Sequence, residues 1–435
     1  MKGFFNEPNI TVQLLEGSAT LGGVIDSHIY EQVPAKKSAF FVANLGVLMQ
    51  QHVLWQSHMA PIRPFYPVTC NSDPAVIEVL AALGTGFICT NKTELMLLLA
   101  FGITPRDIIY ASGCKQLSHI KYAAKSGVDL LVCDNEVELR KIARYHPAAK
   151  LLLQVATASH HQESSMAPGC SLKTCRHLLE CAKELDMQVV GVRFQIASSC
   201  KDPQAYSHAV ADARSVFDMA GEFGFDMRIL DIGSGFSGSE SELEQVQSVI
   251  GPLLEVSFPP LSGVHVIAEP GGFYVSTAFT LVVNIIAKKA MIRDGRDHLQ
   301  DVLSLENERE FLYYMNDGVY GSFASRLLDQ TIPAPSVHKA STLIKALRVE
   351  EPVFASSLCG PSSDELDEVV ERCLLPELTV GDWLVFDNMG VRDFGDMRQQ
   401  PVHYISSTDQ WYKLQEAVVR CNSTLKNCLL ISCSL

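Results

Sequence analysis

From residue 64 onward the chain repeats one pattern eight times. Short runs of apolar, β-branched or aromatic residues begin near Pro64, Gly86, Ile108, Leu130, Lys150, Val189, Arg228 and Val264. Between them lie stretches with apolar residues at helical spacing, such as Pro74 to Leu83, Lys92 to Phe101, Leu117 to Lys125, Glu136 to Tyr145, Leu172 to Leu185 and Ala205 to Phe223. Parallel strands need a crossover connection, and a helix is the usual one. Eight such units are the count of a closed (β/α)8 TIM barrel, while an open doubly wound sheet is the alternative the same alternation allows. The barrel reading covers 37–277, with Ser38 to Val42 as a first strand and Asn44 to Gln56 as a helix.

After Glu269-Pro270-Gly271 the alternation stops. Ala278 to Ala287, Glu310 to Met315, Val353 to Ser357, Trp383 to Asn388 and Val402 to Ser406 read as strands with no long helices between them. A mostly β second domain is therefore expected from 278–435, with 1–36 joined to it and a short C-terminal tail. Residues 290–310 and 330–350 are charged and aperiodic, and read as exposed loops.

The chain has 435 residues, 47% hydrophobic and 19% charged, which is a globular composition with room for two cores. A net charge of −14 argues against general binding to nucleic acid or to anionic membranes. Its 13 cysteines are scattered, with neither a CxxC pair nor a Cys/His cluster at zinc spacing. No metal site is expected from that pattern. The first residues lack a signal-peptide apolar run, and the longest apolar runs are too short to span a bilayer. Reduced thiols and a cytoplasmic, also nuclear, location are the expectation.

One segment departs from the acidic background. Lys115, Lys121, Lys125, Arg140, Lys141 and Arg144 place six cations within 30 residues. Ser118 to Lys125 reads as a helix closed by Gly127, Val128 to Cys133 as a strand, and Asp134 or Asn135 as the cap of a second helix that stops before Pro147. Val137, Leu139, Ile142 and Ala143 are expected inward, with Arg140, Lys141 and Arg144 outward. Such a patch suits an acidic protein partner, and a merely solvated helix face is the alternative.

Several motifs carry a family resemblance. Pro64-Phe65-Tyr66, Leu83-Gly84-Thr85-Gly86-Phe87, Lys115-Gln116, Leu230-Asp231-Ile232-Gly233, Glu269-Pro270-Gly271, Asn316-Asp317-Gly318-Val319-Tyr320-Gly321 and Val380-Gly381-Asp382-Trp383 resemble ornithine decarboxylase and its antizyme inhibitors, from Gly3 to about Trp411. Met1 to Phe4, Leu178 to Asp186 and Leu374 to Leu378 are more similar to the inhibitor branch than to the enzyme. The resemblance implies an alanine-racemase-like barrel with a β domain.

It also implies a lost active site. Thr69 stands where the enzyme's lysine holds pyridoxal phosphate as an imine, and a hydroxyl forms no imine. Pro67 stands for an alanine, Ile88 for an acidic residue, Gln154 for an arginine, Gln195 for the ring-stacking histidine and Gly272 for a phosphate-binding arginine. Gly233-Ser234-Gly235 and Ala197-Ser198-Ser199 are altered phosphate turns. Ser363 replaces the cysteine general acid, Arg392 replaces a tyrosine, and the loop around Gly395 to Gln400 is shorter. Ser198, Gly235, Glu269, Asp329 and Asp364 remain as vestiges, with Glu269 still able to face a pyridine nitrogen.

The expectation is a pseudoenzyme with no cofactor and no live catalytic group at Thr69, Gln195 or Ser363. Its expected partner is ornithine decarboxylase antizyme, held by the 117–140 element with Lys115, Lys121, Lys125, Glu138, Arg140, Lys141 and Arg144. The competing reading is a pyridoxal-phosphate decarboxylase with a divergent site. Because the dimer-completed site is lost, a monomer or weak dimer is expected.

Overall fold

The computed structural model describes residues 10–17, 19–32, 37–157, 169–196, 204–236, 238–292, 309–328, 332, 334–338, 352–362, 364–392, 400–420 and 432–434. In chain order, β1 (Thr11–Leu15), α1 (Leu21–Glu31), β2 (Phe40–Asn44) and α2 (Leu45–Met59) come first. The strands β3 (Arg63–Pro67), β4 (Gly86–Cys89), β5 (Ile108–Tyr110), β6 (Leu130–Cys133), β7 (Lys150–Val155), β8 (Gln188–Phe194), β9 (Ile229–Asp231) and β10 (His265–Ala268) follow. They are interleaved with α3 (Pro74–Ala82), α4 (Lys92–Ala100), α5 (Leu117–Ser126), α6 (Glu136–Tyr145), α7 (Leu172–Glu184), α8 (Gln204–Glu222) and α9 (Glu240–Ser257), and α10 (Gly271–Val275) comes after β10.

Strands β3 to β10 close into a barrel, with β10 hydrogen-bonded to β3 and the paired strands parallel. This is the expected (β/α)8 architecture. Short polar residues set the helix starts. The side chains of Asp73, Asn91, Asn135 and Ser171 accept from backbone N–H groups at the starts of α3, α4, α6 and α7. Alternation along each strand sends every second side chain inward. Phe65, Ile88, Ile109, Val132, Leu152 and Ile267 form an apolar interior layer, and Ile88 belongs to it. The next layer toward the strand C-termini is polar. Gln154 of β7 pairs with Arg193 of β8, and Arg193 pairs with Asp231 of β9.

The second unit contains β1, α1, β2 and the later strands β11 (Phe279–Ile292), β12 (Arg309–Met315), β13 (Ser336–His338), β14 (Val353–Cys359), β15 (Glu368–Pro376), β16 (Trp383–Phe386), β17 (Val402–Ser407) and β18 (Ser432–Ser434). A helix α11 (Thr408–Arg420) follows β17. The main strand order is β15-β14-β12-β11-β2-β17-β1-β18, with β16 paired to β11 and β13. Val24, Ile25, Phe40, Val42, Val282, Trp383, Val385 and Ile405 form a core cluster there.

The expected boundary at residue 37 moves. β2 pairs antiparallel with β11 and parallel with β17, so it belongs to this sheet, and the barrel unit begins at Val47. The stretch 1–36, for which no element was expected, holds β1 and α1 among its described residues. The expected loops lie in large part outside the described residues, at 293–308 and 339–351. Among the described residues no helix is long and apolar enough to cross a membrane.

Candidate functional site: a polar barrel mouth and a basic helix pair

β3 ends in a 3-10 turn, Val68–Cys70, that carries half-buried Thr69. The Tyr66 hydroxyl donates to the Asn71 carbonyl at 2.9 Å, and the Asn71 side chain accepts from the Asp73 N–H at 3.0 Å. Asp73 in turn accepts from Ala75 N–H at 2.9 Å, so the corner is tied to the start of α3. α10 closes against it. A Cβ on Gly271 would lie 2.3 Å from Cys70 Sγ and 2.7 Å from Pro67 Cγ, so only glycine permits this approach.

The centre of the mouth is a buried ion cluster. Arg193 donates through Nε to Glu269 Oε1 at 2.6 Å and through Nη2 to Glu269 Oε2 at 2.9 Å. Its Nη1 donates to Gln154 Oε1 at 2.6 Å. Gln195 Nε2 adds a long bond to Glu269 Oε2 at 3.4 Å. Asp231 Oδ2 lies 3.6 Å from Arg193 Nε, while Asp231 Oδ1 accepts from Gly233 N–H at 2.9 Å. Arg193, Glu269, Asp231 and Gln154 are all buried.

Two carboxyl groups thus face one guanidinium. Burial, then the neighbouring Glu269, pushes the Asp231 carboxyl well above the usual range, against the pull of Arg193. Burial opposes the Arg193 charge, but Glu269 and Asp231 hold it above its ordinary value.

The glycine turn after β9 is also occupied. Gly233 has φ +67°, and a Cβ there would lie 2.0 Å from the Phe194 carbonyl. Its N–H is spent on Asp231, and its carbonyl accepts from Glu269 N–H at 2.7 Å. Gly235 likewise has positive φ. Ser198, Asp329 and Ser363 lie outside the described residues. In the second unit Asp364 caps the 3-10 turn Glu365–Asp367 through Leu366 N–H at 3.0 Å and accepts from the Tyr320 hydroxyl at 2.5 Å. The Tyr320 bond, then the Leu366 bond, lowers its pKa. Arg392 lies over the Phe41 ring at 4.5 Å.

Arg193 and Asp231 were not among the expected site residues. The signal was present: an arginine and an aspartate interrupt neighbouring apolar strand runs, and each needs a buried partner.

The basic segment folds as expected in outline. α5 ends at Gly127, φ 74°, and Asn135 rather than Asp134 caps α6, accepting from Glu138 N–H at 2.9 Å. Three of its residues differ from expectation. Lys115 is buried, its ammonium donating to the carbonyls of Ser112 at 2.6 Å and Val132 at 2.5 Å. Burial lowers its pKa. Glu138 is buried too, accepting from Lys115 N–H at 3.2 Å and from the Lys141 ammonium. Val137, expected inward, is 75% exposed, because Glu138 turns toward Lys115 and sets the helix phase.

The outward cations then divide. Arg140 donates to Glu136 at 2.7 Å, and Lys141 pairs with Glu138. Lys121, Lys125 and Arg144 are exposed and have no carboxylate partner among the described residues. Lys121 and Arg144 share one ring, lying 4.9 and 5.4 Å from the centroid of Tyr145. Two elements thereby present one cationic face around an aromatic.

Comparison with known proteins places this geometry. Residues 45–276 match the family described as "Pyridoxal-dependent decarboxylase, pyridoxal binding domain". The chain is 52% identical to antizyme inhibitor 1 of Rattus norvegicus over 98% of this chain and 96% of that one. It is 43% identical to ornithine decarboxylase of Rattus norvegicus over 95% of this chain and 91% of that one. The arginine decarboxylase of Paramecium bursaria Chlorella virus, solved bound to agmatine, superposes with a TM-score of 0.77 at 26% identity, covering 88% of this chain and all of that one. A barrel with a polar mouth, a mostly β second unit and these relatives agree: the chain belongs to the pyridoxal-dependent ornithine decarboxylase and antizyme inhibitor family.

Proposed function

We propose that this chain is a catalytically inactive relative of ornithine decarboxylase that binds antizyme, releases ornithine decarboxylase from it, and so promotes polyamine synthesis and uptake. The observation that carries the loss of catalysis is the bidentate Arg193–Glu269 pair in the barrel mouth. A pyridinium nitrogen needs a carboxylate that is free to pair with it. Here both oxygens of Glu269 are bound to a buried guanidinium, and burial pushes the nearby Asp231 carboxyl well above the usual range. Thr69 offers no amine to an aldehyde. Lys115, whose amine faces two carbonyls, is not placed to substitute for it. The residues present do not fit pyridoxal phosphate.

Antizyme binding is supported by the similarity to antizyme inhibitor 1 and by the exposed cations of α5 and α6 on a chain of net charge −14. Lys121, Lys125 and Arg144 are the available contacts, with Arg140 and Lys141 exchanging their internal partners for external ones. Lys115 and Glu138 support the element from inside. The protein acts as a monomer or weak dimer in the cytoplasm and nucleus.

The test is competition. Purified chain is added to an antizyme–ornithine decarboxylase complex, and released decarboxylase activity is measured alongside the absorption spectrum of the chain itself. Release of active enzyme by a chain without bound pyridoxal phosphate is expected. Stoichiometric bound cofactor, or turnover by the chain alone, would restore the decarboxylase reading.

A further inference from the structure

We propose that Glu136, His177 and Cys181 form a binding site for a zinc-class divalent cation. No spacing in the sequence signals it, because Glu136 lies on α6 and the other two lie on α7. His177 and Cys181 are four residues apart, on one helix face. The three ligand atoms lie within 4.8 Å of one another.

The geometry is close to that of a bound ion. One ring nitrogen, His177 Nε2, faces both partners: Glu136 Oε2 at 2.7 Å and Cys181 Sγ at 3.6 Å. Zinc bonds of about 2.0 Å to nitrogen and 2.3 Å to sulfur, at a tetrahedral angle, put those two atoms roughly 3.5 Å apart. The nitrogen–sulfur edge is therefore already set. The oxygen–nitrogen edge needs to open by about half an ångström, on exposed side chains that can move.

The surroundings support the ligand set. Arg140 Nε donates to Glu136 Oε1 at 2.7 Å, which orients the carboxylate and leaves Oε2 toward the histidine. Glu136, and more weakly Glu184 and Glu180, add negative potential at Cys181, which Arg140 partly offsets. The sulfur belongs to a buried residue, while His177 and Glu136 are partly exposed and leave an entrance for the ion. Binding replaces the S–H bond with an S–metal bond and releases the proton to solvent. A fourth position remains for water. The other convergent trio, His58, Glu240 and Glu244, lacks a thiolate and has contacts of 3.3 and 4.0 Å.

The site does not rest on the antizyme reading, although Arg140, which orients Glu136, also belongs to that proposed surface. It is tested by titrating the reduced full-length chain with Co(II) and following thiolate-to-cobalt charge-transfer absorption, then displacing the cobalt with Zn(II). One equivalent is expected in the wild type. Cys181→Ser should abolish the band, and His177→Asn and Glu136→Gln should each weaken affinity by at least about tenfold. Cys114→Ser and His58→Ala should leave it unchanged. Circular dichroism checks folding, and His177→Asn, on the exposed side, carries the test if the cysteine variant does not fold. Absence of the band in the wild type, its persistence in folded Cys181→Ser, or unchanged affinity in His177→Asn would overturn the site.

Discussion

The barrel mouth and the α5–α6 face hold comparable numbers of charged groups and use them in opposite ways. In the mouth, Arg193 is bound by Glu269 and Gln154 in a buried layer, with Asp231 Oδ2 in ion-pair contact at 3.6 Å and without a hydrogen bond of its own among the described residues. On the helices, Lys121, Lys125 and Arg144 are left exposed without a carboxylate. A buried, mutually paired set holds a structure and offers little to a ligand. An exposed, one-signed set contributes little to folding and is available to a partner. The difference indicates which of the two charged regions is available to a partner.

The sharpest way to break that contrast is at Arg193. Arg193→Met leaves two buried carboxyl groups without a cation and is expected to destabilise the barrel by about 3–5 kcal/mol. Arg193→Met combined with Glu269→Gln should be less destabilised than the single change. Urea unfolding measures both, and a loss under about 1 kcal/mol for Arg193→Met would show that the cluster holds nothing.

Lys115 tests which side of the contrast it belongs to. Lys115→Met is expected to lose about 1–3 kcal/mol of stability by leaving the Ser112 and Val132 carbonyls unbonded, with antizyme affinity unchanged. A drop in affinity at full stability would return Lys115 to the binding surface.

The surface itself is tested by Lys121→Glu with Arg144→Glu. Antizyme binding should weaken by at least about tenfold, roughly 1.4 kcal/mol, more at low salt than at high. Stability should change by no more than about 0.5 kcal/mol. This pair is cleaner than Lys121→Glu with Lys141→Glu, because a glutamate at 141 would face Glu138. Equal binding by wild type and variant in calorimetric titration at low salt would remove the proposed surface.

The smallest effect is expected at Asp231. Its folded pKa is raised, so its contribution is full below the ordinary carboxylate range and is lost as pH rises through the folded value. Asparagine mimics the protonated acid and keeps an acceptor for Gly233. Asp231→Asn should therefore stay within about 1 kcal/mol of wild type at pH below the ordinary carboxylate range and gain relative to it as pH rises from there. A variant that loses stability relative to wild type with rising pH would reverse the assignment of the proton.

The barrel was legible because a repeated local pattern survives without its context. All eight of its strand starts fall within one residue of those read from the sequence, as with Gly86, Ile108 and Leu130. β2 was legible as a strand and misplaced as a barrel element, because periodicity says nothing about a partner as distant as Val402. The phase of α6 was misread for a related reason. Val137 is the better core residue by polarity, yet Glu138 goes inward to meet the Lys115 backbone across 23 residues. Polar pairs of this kind override hydrophobic pattern wherever both members are buried together. The expectation that Thr69, Ile88 and Gln195 stand in place of family residues rests on the resemblance alone. The Arg193 cluster required knowing which strands are neighbours.

The strand order has a consequence for how the chain is made. Among the described strands β1 pairs with β17 and β18, with Val12 opposite Tyr404 and Cys433. Every barrel strand, by contrast, has its neighbours by residue 268. At synthesis rates of about 5–20 residues per second, β1 leaves the ribosome some tens of seconds before its first partner exists. During that interval the barrel can close, while Thr11–Leu15 remains an unpaired β-forming segment open to chaperones. A chain stopped before Val402 would leave that segment without either strand that pairs with it.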